Sequence, residues 1–210
     1  MKRYRIHYHK KKDARYTSNL DIHKMWERWL RRAALPVSYS QGFHPQPKIN
    51  QATPLPLGML SQYELVDIWL DDDLEPRDVM QRLNQTPQPG LPIQSIIEVD
   101  NSEPALQATL LSSTYLLHFY DAQDEQVLKQ KIEEALSSSQ ILRERRGKSY
   151  DLRPLILSLE ILQDADGSPM LSAKLSMQSG ATGRADELVE ALGFSQEDVW
   201  IERVLLEFTD

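Results

Sequence analysis

A loop between residues 35 and 58 places polar side chains that could bind or react beside residues that stiffen the backbone. It reads LPVSYSQGFHPQPKIN over residues 35–50 and PLPLG over residues 54–58. The prolines restrict the backbone of this loop and the glycines permit its turns, so its donors and acceptors can be positioned at low entropic cost. Pro-rich connections are also common as plain structural loops, so the segment predicts either a recognition loop or a structural connection.

Three side chains of this loop are candidates for catalysis. His44 could act as a general acid or base, Lys48 could stabilise a phosphorane-like charge, and Tyr39 could transfer a second proton. Metal-independent RNA cleavage needs these roles, but the sequence fixes no partner for His44. The chain also lacks a Walker A loop, a G-x-S-x-G turn and a G-x-G-x-x-G turn. We therefore expect a non-catalytic accessory or binding module and keep an endoribonuclease as an alternative.

Basic and aromatic residues flank this loop and indicate a surface for nucleic acid. The segment 1–50 contains 12 basic and 3 acidic side chains, a net charge of +9, while the rest of the chain carries −16. Such an end attracts polyanions, unless its cations pair with acidic groups of the same chain. Cations with interleaved aromatic rings suit phosphate contact and base stacking. The predicted nucleic-acid-binding residues are Lys10, Lys11, Lys12, Arg15, Tyr16, Arg28, Arg31, Arg32, Gln41, Gly42, Phe43, His44 and Lys48.

A second basic cluster lies in the C-terminal half, around Gly147 and Tyr150. Two interpretations stay open for it: an extension of the same cationic surface, or a solvated hairpin. Its members are Arg143, Arg145, Arg146, Lys148 and Arg153.

Metal and cofactor sites receive no support from the sequence. The chain has no cysteine, which excludes disulfides, Cys-based zinc sites and iron–sulfur clusters held by its own residues. His7 and His9 share one face of a predicted strand, but no H-x-x-x-H or H-E-x-x-H spacing supplies further ligands. We predict neither a metal site nor a cofactor in this chain.

The elements that position these residues follow from hydrophobic periodicity. Ser18 and Asp21 fit a capping box, and apolar residues at helical spacing from Leu20 to Ala33 predict a helix that Pro36 ends. Its other face carries Lys24, Arg28, Arg31 and Arg32. The remaining predicted elements of this half are strands 4–8, 49–52, 64–70 and 93–99 and a helix over 75–83.

The second half repeats the order β-α-β-β-α-β. We predict strands 115–120, 155–162, 170–177 and 200–208, a hairpin turn at 164–167, and helices 125–136 and 184–192. The fold class is therefore α+β, with two tandem ferredoxin-like units. The predicted domains are an N-terminal unit over 1–100, a connector over 101–113 and a C-terminal unit over 114–210.

Overall composition matches that of a soluble globular protein. The 210 residues are 40% hydrophobic and 26% charged, and no run of 18 apolar residues occurs. The N-terminus lacks the apolar stretch of a signal peptide. We expect a cytoplasmic protein that does not span a membrane.

Four stretches together resemble a bacterial family of unknown function. They are RYTSNLD at 15–21, the loop at 35–49, PLPLG at 54–58 and YDLRP at 150–154. The sequence resembles the radical-SAM-linked family that is found beside or fused to B12-binding-type radical SAM proteins. That family often has Ser-His-Leu-Asp where this chain has Ser18-Asn19-Leu20-Asp21, so position 19 offers no catalytic histidine.

The resemblance implies a radical SAM enzyme as a partner and a link to RNA modification. Because this chain has no cysteine, the radical SAM cluster must belong to the partner. We expect an accessory protein that binds a structured RNA for modification or processing. One alternative is a protein-interaction subunit that docks on the radical SAM enzyme through Gly42–Lys48 without RNA, and the other is the endoribonuclease.

Overall fold

A computed structural model describes residues 1–53, 55–145 and 147–209. The chain forms two compact units, Met1–Thr109 (unit 1) and Leu110–Asp210 (unit 2), and both combine helices with mostly antiparallel strands. Pro54 of the family motif and Arg146 of the second basic cluster lie outside the described residues. None of the helices in the described part of the chain has the length and apolar character needed to cross a membrane.

Unit 1 is a sheet of four strands with helices between them along the chain. β1 pairs antiparallel with β3 on one side and β4 on the other, and β2 pairs antiparallel with the far side of β3. The spatial order is therefore β4–β1–β3–β2. The elements are β1 (Lys2–Lys10), α1 (Asn19–Arg32), β2 (Ile49–Gln51), β3 (Leu60–Leu70), α2 (Pro76–Gln85), β4 (Ile93–Val99) and α3 (Leu106–Thr109).

The predicted capping box starts α1. The Asp21 backbone N–H donates to Ser18 Oγ at 3.2 Å, which satisfies one of the free amides at the helix end. α1 ends at Arg32, ahead of Pro36, because Ala34 adopts a left-handed φ of 49° that cannot continue a helix. Leu20, predicted for the buried face, is 74% exposed in the first turn.

Aromatic packing joins α1 to the sheet of unit 1. Trp26 stacks on Trp29 with ring centroids 4.8 Å apart and meets Tyr8 of β1 edge-on at 5.0 Å. The Trp29 indole donates to the Leu83 carbonyl at 3.2 Å, which ties α1 to α2. α1 and α2 therefore share a single hydrophobic core with one face of β1 and β3.

A buried ionic cluster fixes the other side of β1. The carboxylate of Asp67 on β3 is fully buried and accepts from Arg3 Nε and Arg5 Nε, both at 2.9 Å. Arg3 also donates to the carbonyls of Glu103 and Pro104, at 2.7 and 2.9 Å. Every charge in this cluster has a partner, as burial requires.

Unit 2 has an equivalent strand order with extra pieces. β5 lies between β11 and β9, and β8 pairs with the far side of β9, all antiparallel. The hairpin predicted at 164–167 joins β8 to β9. The elements are β5 (Leu110–Phe119), α4 (Glu125–Ser137), β6 (Leu142–Arg145), β7 (Lys148–Asp151), β8 (Ile156–Gln163), β9 (Pro169–Gln178), β10 (Ala181–Thr182), α5 (Ala185–Ala191) and β11 (Val199–Phe208).

The connector predicted over 101–113 is the main error in the predicted elements. Positions 106–109 form α3, and β5 already begins at Leu110, ahead of the predicted start of that strand at Tyr115. Ser112 and Ser113 are buried and pair with β9 and β11, so small polar side chains here belong to a strand interior. The β6–β7 hairpin lies where a solvated hairpin was one of the two interpretations of the second basic cluster, whereas β10 has no counterpart among the predicted elements.

The turn after β1 packs against the loop before β4 at a glycine. The Lys11 N–H donates to the Gly90 carbonyl at 2.8 Å. Gly90 has φ +77°, and a Cβ added there would lie 2.6 Å from the backbone nitrogen of Ala14. Both the left-handed conformation and the close approach require glycine at this position.

We expect Asp67→Asn to lower the free energy of unfolding by about 3–5 kcal/mol, because two guanidinium groups would lose their buried counter-charge. Urea unfolding followed by circular dichroism measures the change. The control is Asp73→Asn, since Asp73 is 74% exposed and its carboxylate lies 3.6 Å from the Lys2 amine. That surface pair should contribute less than about 1 kcal/mol. Equal effects of the two substitutions would contradict the assigned role of Asp67.

We expect Gly90→Ala to lower the free energy of unfolding by about 2–4 kcal/mol, because the methyl group meets backbone atoms in a left-handed residue. Gly167→Ala is the matched control, since Gly167 has φ +84° with no atom within 4 Å of the added Cβ. It should cost about 1 kcal/mol from the backbone conformation alone. Thermal unfolding compares the two variants, and a smaller loss for Gly90→Ala than for Gly167→Ala would contradict the close contact.

Candidate nucleic-acid interface

The exposed face of α1 carries a line of cations. Lys24, Arg28 and Arg32 are spaced by four residues, so they follow one another along the helix surface, and Arg31 lies beside them. All are solvent-accessible. The opposite face, with Ile22, Trp26, Trp29 and Leu30, is buried in the core of unit 1. Lys24 is absent from the predicted binding residues, although its spacing from Arg28 already places it on this face.

The turn ahead of α1 holds an exposed aromatic ring beside a cation. Arg15 donates through Nε to the Gly58 carbonyl at 2.8 Å, and the Gly58 N–H donates back to the Arg15 carbonyl at 3.0 Å. The Arg15 guanidinium lies 5.3 Å from the centre of the Tyr16 ring, which is 74% exposed. Two stretches of the family resemblance, RYTSNLD and PLPLG, therefore meet and present Tyr16 to solvent.

A groove of about 390 Å³ runs beside this helix in unit 1. Lys11 and Asp13 form one wall, and Gln88 forms part of the other. Arg32 donates to the Gln88 side-chain oxygen at 2.9 Å, so the end of the helical cation line reaches the groove.

Nine of the twelve cations in residues 1–50 form two groups. Lys2, Arg3 and Arg5 on β1 are paired with acidic residues of unit 1. In the described part of the chain, no carboxylate forms an ion pair with any member of the second group. We call this second group the α1 basic surface; it consists of Lys11, Lys12, Lys24, Arg28, Arg31 and Arg32.

Lys10 does not belong to this surface, although it is among the predicted contacts. It is only 3% exposed, because Tyr4, Ile6, Tyr8 and Lys10 alternate onto the core side of β1. The run of three lysines therefore divides at the end of the strand, with Lys10 turned inward and Lys12 exposed.

The Gly42–Lys48 segment lies at the other end of the strands from the Lys10–Tyr16 turn. Lys10 pairs with Ser61 of β3, whereas the Lys48 carbonyl accepts from Trp69 N–H near the opposite end of that strand. The strand between these two points corresponds to roughly 25 Å. The predicted binding residues are therefore spread along the unit, with α1 leading from the turn toward the loop, and do not surround one point.

The loop itself is closed by short-range hydrogen bonds. Ser40 N–H donates to the Gln46 carbonyl at 2.8 Å, and Gln46 N–H donates to Ser40 Oγ at 2.9 Å. The tip between them, which contains Gln41, Gly42, Phe43 and His44, is exposed, and the Phe43 side chain is fully accessible. The hydrogen bonds between Ser40 and Gln46 thus close the loop, and its tip presents the Phe43 side chain to solvent.

No hydrogen bond or ion pair among the described residues links the candidate catalytic side chains of this loop. Tyr39 and His44 are exposed, and the described residues make no hydrogen bond or ion pair with the His44 side chain. The Lys48 amine lies 3.3 Å from the Met1 sulfur. The described residues therefore give His44 no hydrogen-bonded partner for general acid–base chemistry.

The histidines of β1 form a half-buried aromatic pair on the side of the strand opposite the hydrophobic core. Their ring centroids are 5.6 Å apart, and His7 also packs against Tyr63 at 4.4 Å. Burial, followed by the charges of Lys11 and His7, lowers the pKa of His9 below its usual value. The described residues contain no group of three or more histidine, aspartate or glutamate side chains that could hold a metal.

The second basic cluster is only partly accessible. Arg143 binds Glu187 at 2.9 Å and also Glu190, and Arg153 donates to the Leu136 carbonyl at the end of α4. Arg145 and Lys148 are exposed on the β6–β7 hairpin, where they border a pocket of unit 2. Thr182 and Arg184 line the same pocket but are not among the predicted site residues. No periodic signal connects them with a hairpin so much earlier in the chain.

Comparisons with known proteins identify the family and one related fold. The profile of a family described as an uncharacterized protein conserved in bacteria (DUF2344) matches residues 3–185. No curated protein matches the sequence. A chain in the crystal structure of a Cbf5–Nop10–Gar1 complex superposes with a TM-score of 0.53 at 10% identity, over 97% of this chain and 48% of that one. This likeness concerns the fold.

A second solved structure, of an archaeal box H/ACA sRNP Nop10–Cbf5 complex, gives a TM-score of 0.46 at 10% identity, over 95% of this chain and 46% of that one. The chain thus spans about half the length of the chains it superposes on. Because the profile match covers most of the sequence, the chain belongs to the DUF2344 family of uncharacterized proteins conserved in bacteria.

Proposed function

We propose that this protein is a non-catalytic RNA-binding module whose α1 basic surface contacts the phosphate backbone of a structured RNA. The observation that carries the proposal is the set of six cations in one region of unit 1 without acidic partners among the described residues. Cations left unpaired in a chain of net charge −7 form a local positive field, and such a field attracts a polyanion.

The geometry supports contact with the phosphate backbone of RNA more than recognition of individual bases. The cations of α1 extend from Lys24 to Arg32, a length of about 12 Å, and so can reach neighbouring phosphates along one strand. Tyr16 is the exposed ring at the start of this line and could stack on an unpaired base. We therefore propose recognition of a structured RNA that has an unpaired nucleotide next to a helical stem.

We propose further that the module delivers this RNA to a radical SAM enzyme. The sequence resemblance supports this part of the proposal, and the cysteine-free chain is consistent with a cluster held by the partner.

We also propose that each unit is a ferredoxin-like unit. The orders β4–β1–β3–β2 and β11–β5–β9–β8 support this, because neighbours are antiparallel and a helix follows the first and third strands of each unit. The β6–β7 hairpin and β10 are additions in unit 2.

A second function has a specific observation in its favour. Phe43 is fully exposed at the tip of a loop whose base is closed by hydrogen bonds, and an exposed aromatic ring on a rigid base suits an anchor for protein docking. In this alternative the loop binds the radical SAM enzyme and RNA has no part. The endoribonuclease alternative has less support, because His44 has no partner for proton transfer among the described residues.

We expect Arg31→Glu to weaken binding of a labelled stem-loop RNA about tenfold or more at low salt, because it removes one phosphate contact and adds a repulsive charge. Fluorescence anisotropy over a salt series measures affinity, and the slope of log K against log salt should fall by about one. Arg77→Glu is the control, with the same charge change at an exposed arginine of α2 in the same unit. No RNA binding by the wild type, or equal losses in both variants, would contradict the proposal.

For the docking alternative, we expect the Phe43→Ala/His44→Ala double variant to lose co-purification with the radical SAM protein of the native cell, while nuclease treatment has no effect. Ile97→Ala, which truncates another exposed apolar residue of unit 1, should retain the partner. Co-purification that nuclease abolishes, or that survives the double variant, would contradict docking through the loop.

A further inference from the structure

A pocket of about 620 Å³ lies in unit 2, between the β6–β7 hairpin and the segment around β10. Its volume is within the range of about 300–1,000 Å³ that is typical of small-molecule sites. The lining combines cationic, aromatic, hydroxyl and apolar groups. The residues are Arg145, Lys148, Tyr150, Asp151, Leu155, Gly180, Ala181, Thr182 and Arg184.

The charge of this pocket is positive. Arg145 and Lys148 occupy opposite positions in the hairpin register, and neither forms an ion pair within the described residues. Glu187, on α5, is engaged by Arg143. The carboxylate of Asp151, which also lines the pocket, accepts from the backbone amides of Ile141 and Arg153 at 2.8 and 3.0 Å. Glu187 is therefore neutralised by Arg143, whereas Asp151 keeps its negative charge. The lining then carries three cations against one carboxylate, and neither hairpin cation pairs with that carboxylate.

Two donor atoms of residues that line the pocket are buried without a hydrogen-bond partner among the described residues: Tyr150 OH and Arg184 Nε. Arg184 binds Asp186 through Nη2 and Oδ2, at 2.5 Å, although the geometry of an arginine fork allows a second bond from Nε. Buried polar groups are normally paired, so this set indicates a site that is completed by something else.

Tyr150 is held in place by its neighbours in the YDLRP stretch. Leu152 is fully buried, and Arg153 donates through Nε and Nη2 to the Leu136 carbonyl, at 3.0 and 2.8 Å. These contacts fix the backbone next to Tyr150. Burial raises the pKa of Tyr150 above its usual value, so its hydroxyl stays protonated and can donate. The stretch thus forms a rigid support for one polar group at the pocket.

We propose that this pocket binds a nucleoside monophosphate. Arg145, Lys148 and Arg184 would hold the phosphate dianion, and the Tyr150 hydroxyl would donate to it or to the sugar. Leu155 and Ala181 supply an apolar wall against which the base would pack. A bare phosphate would leave this wall uncovered. This site shares no residue with the α1 basic surface and therefore goes beyond the proposed RNA-binding function.

Isothermal titration calorimetry of the full chain tests the proposal with AMP, UMP, inorganic phosphate and adenosine as probes. We expect one nucleotide site per chain, with AMP or UMP bound at least tenfold more tightly than phosphate or adenosine, because both the anion and the base contribute. No saturable binding of either nucleotide up to about 1 mM would overturn it. Equal affinities for nucleotide and inorganic phosphate would also overturn it.

Tyr150→Phe separates a ligand role from a structural one. The hydroxyl has no hydrogen-bond partner among the described residues, so its removal should leave the melting temperature unchanged or raised. It should weaken nucleotide binding about tenfold, and Lys148→Ala should act similarly. A lower melting temperature with unchanged affinity would assign Tyr150 to the fold alone and contradict the proposal.

Two controls keep this test independent of the RNA proposal. Lys129→Ala removes a lysine on α4 that pairs with Glu125, and nucleotide affinity should not change. Arg31→Glu should weaken RNA binding but bind nucleotide as the wild type does. Loss of nucleotide binding in Arg31→Glu would contradict a separate site, whereas failure of RNA binding in the wild type leaves the pocket test intact.

Discussion

The buried carboxylate of Asp67 is the interaction on which unit 1 depends. It draws Arg3 and Arg5 of β1 toward β3, and Arg3 in turn binds the carbonyls of Glu103 and Pro104 beyond β4. One anion therefore links the two central strands with the chain that leaves the sheet. Because a buried charge without a partner is far more costly than a broken surface pair, this side of β1 allows few alternative arrangements.

The ion pairs with Asp67 help to determine which cations of residues 1–50 remain available to bind a ligand. β1 carries cations on both sides, and those that reach Asp67 become part of the fold. Lys10 is buried by strand alternation, whereas Lys12 lies just beyond the strand and is exposed. On α1 the apolar residues occupy the core, so Arg28 and Arg31 face solvent. Charge close together in the sequence thus separates into structural and accessible groups.

In unit 2, the charge cluster that stands out in the sequence does not coincide with the candidate binding site. Its charge cluster at 143–153 is conspicuous in the sequence, yet Arg143 and Arg153 serve the fold through Glu187 and the Leu136 carbonyl. The feature that unites Arg145 with Arg184 is a pocket between elements distant along the chain. Neither β10 nor the β6–β7 hairpin is long enough for a periodic signal, which explains why this pocket was not predicted.

Interactions between residues close along the chain were sufficient to predict most helices and strands. Capping at Ser18, the helical spacing of Trp26 and Trp29, and the glycine turn at 164–167 depend on neighbours close along the chain, and each is found where the sequence indicates. The start of β5 and the fate of each cation were decided only by tertiary structure. Asp67 is remote from Arg3 in the sequence, as Arg184 is from Tyr150, yet the fold brings each pair together. Electrostatic pairing and pocket formation depend on distance in space, which no local pattern encodes.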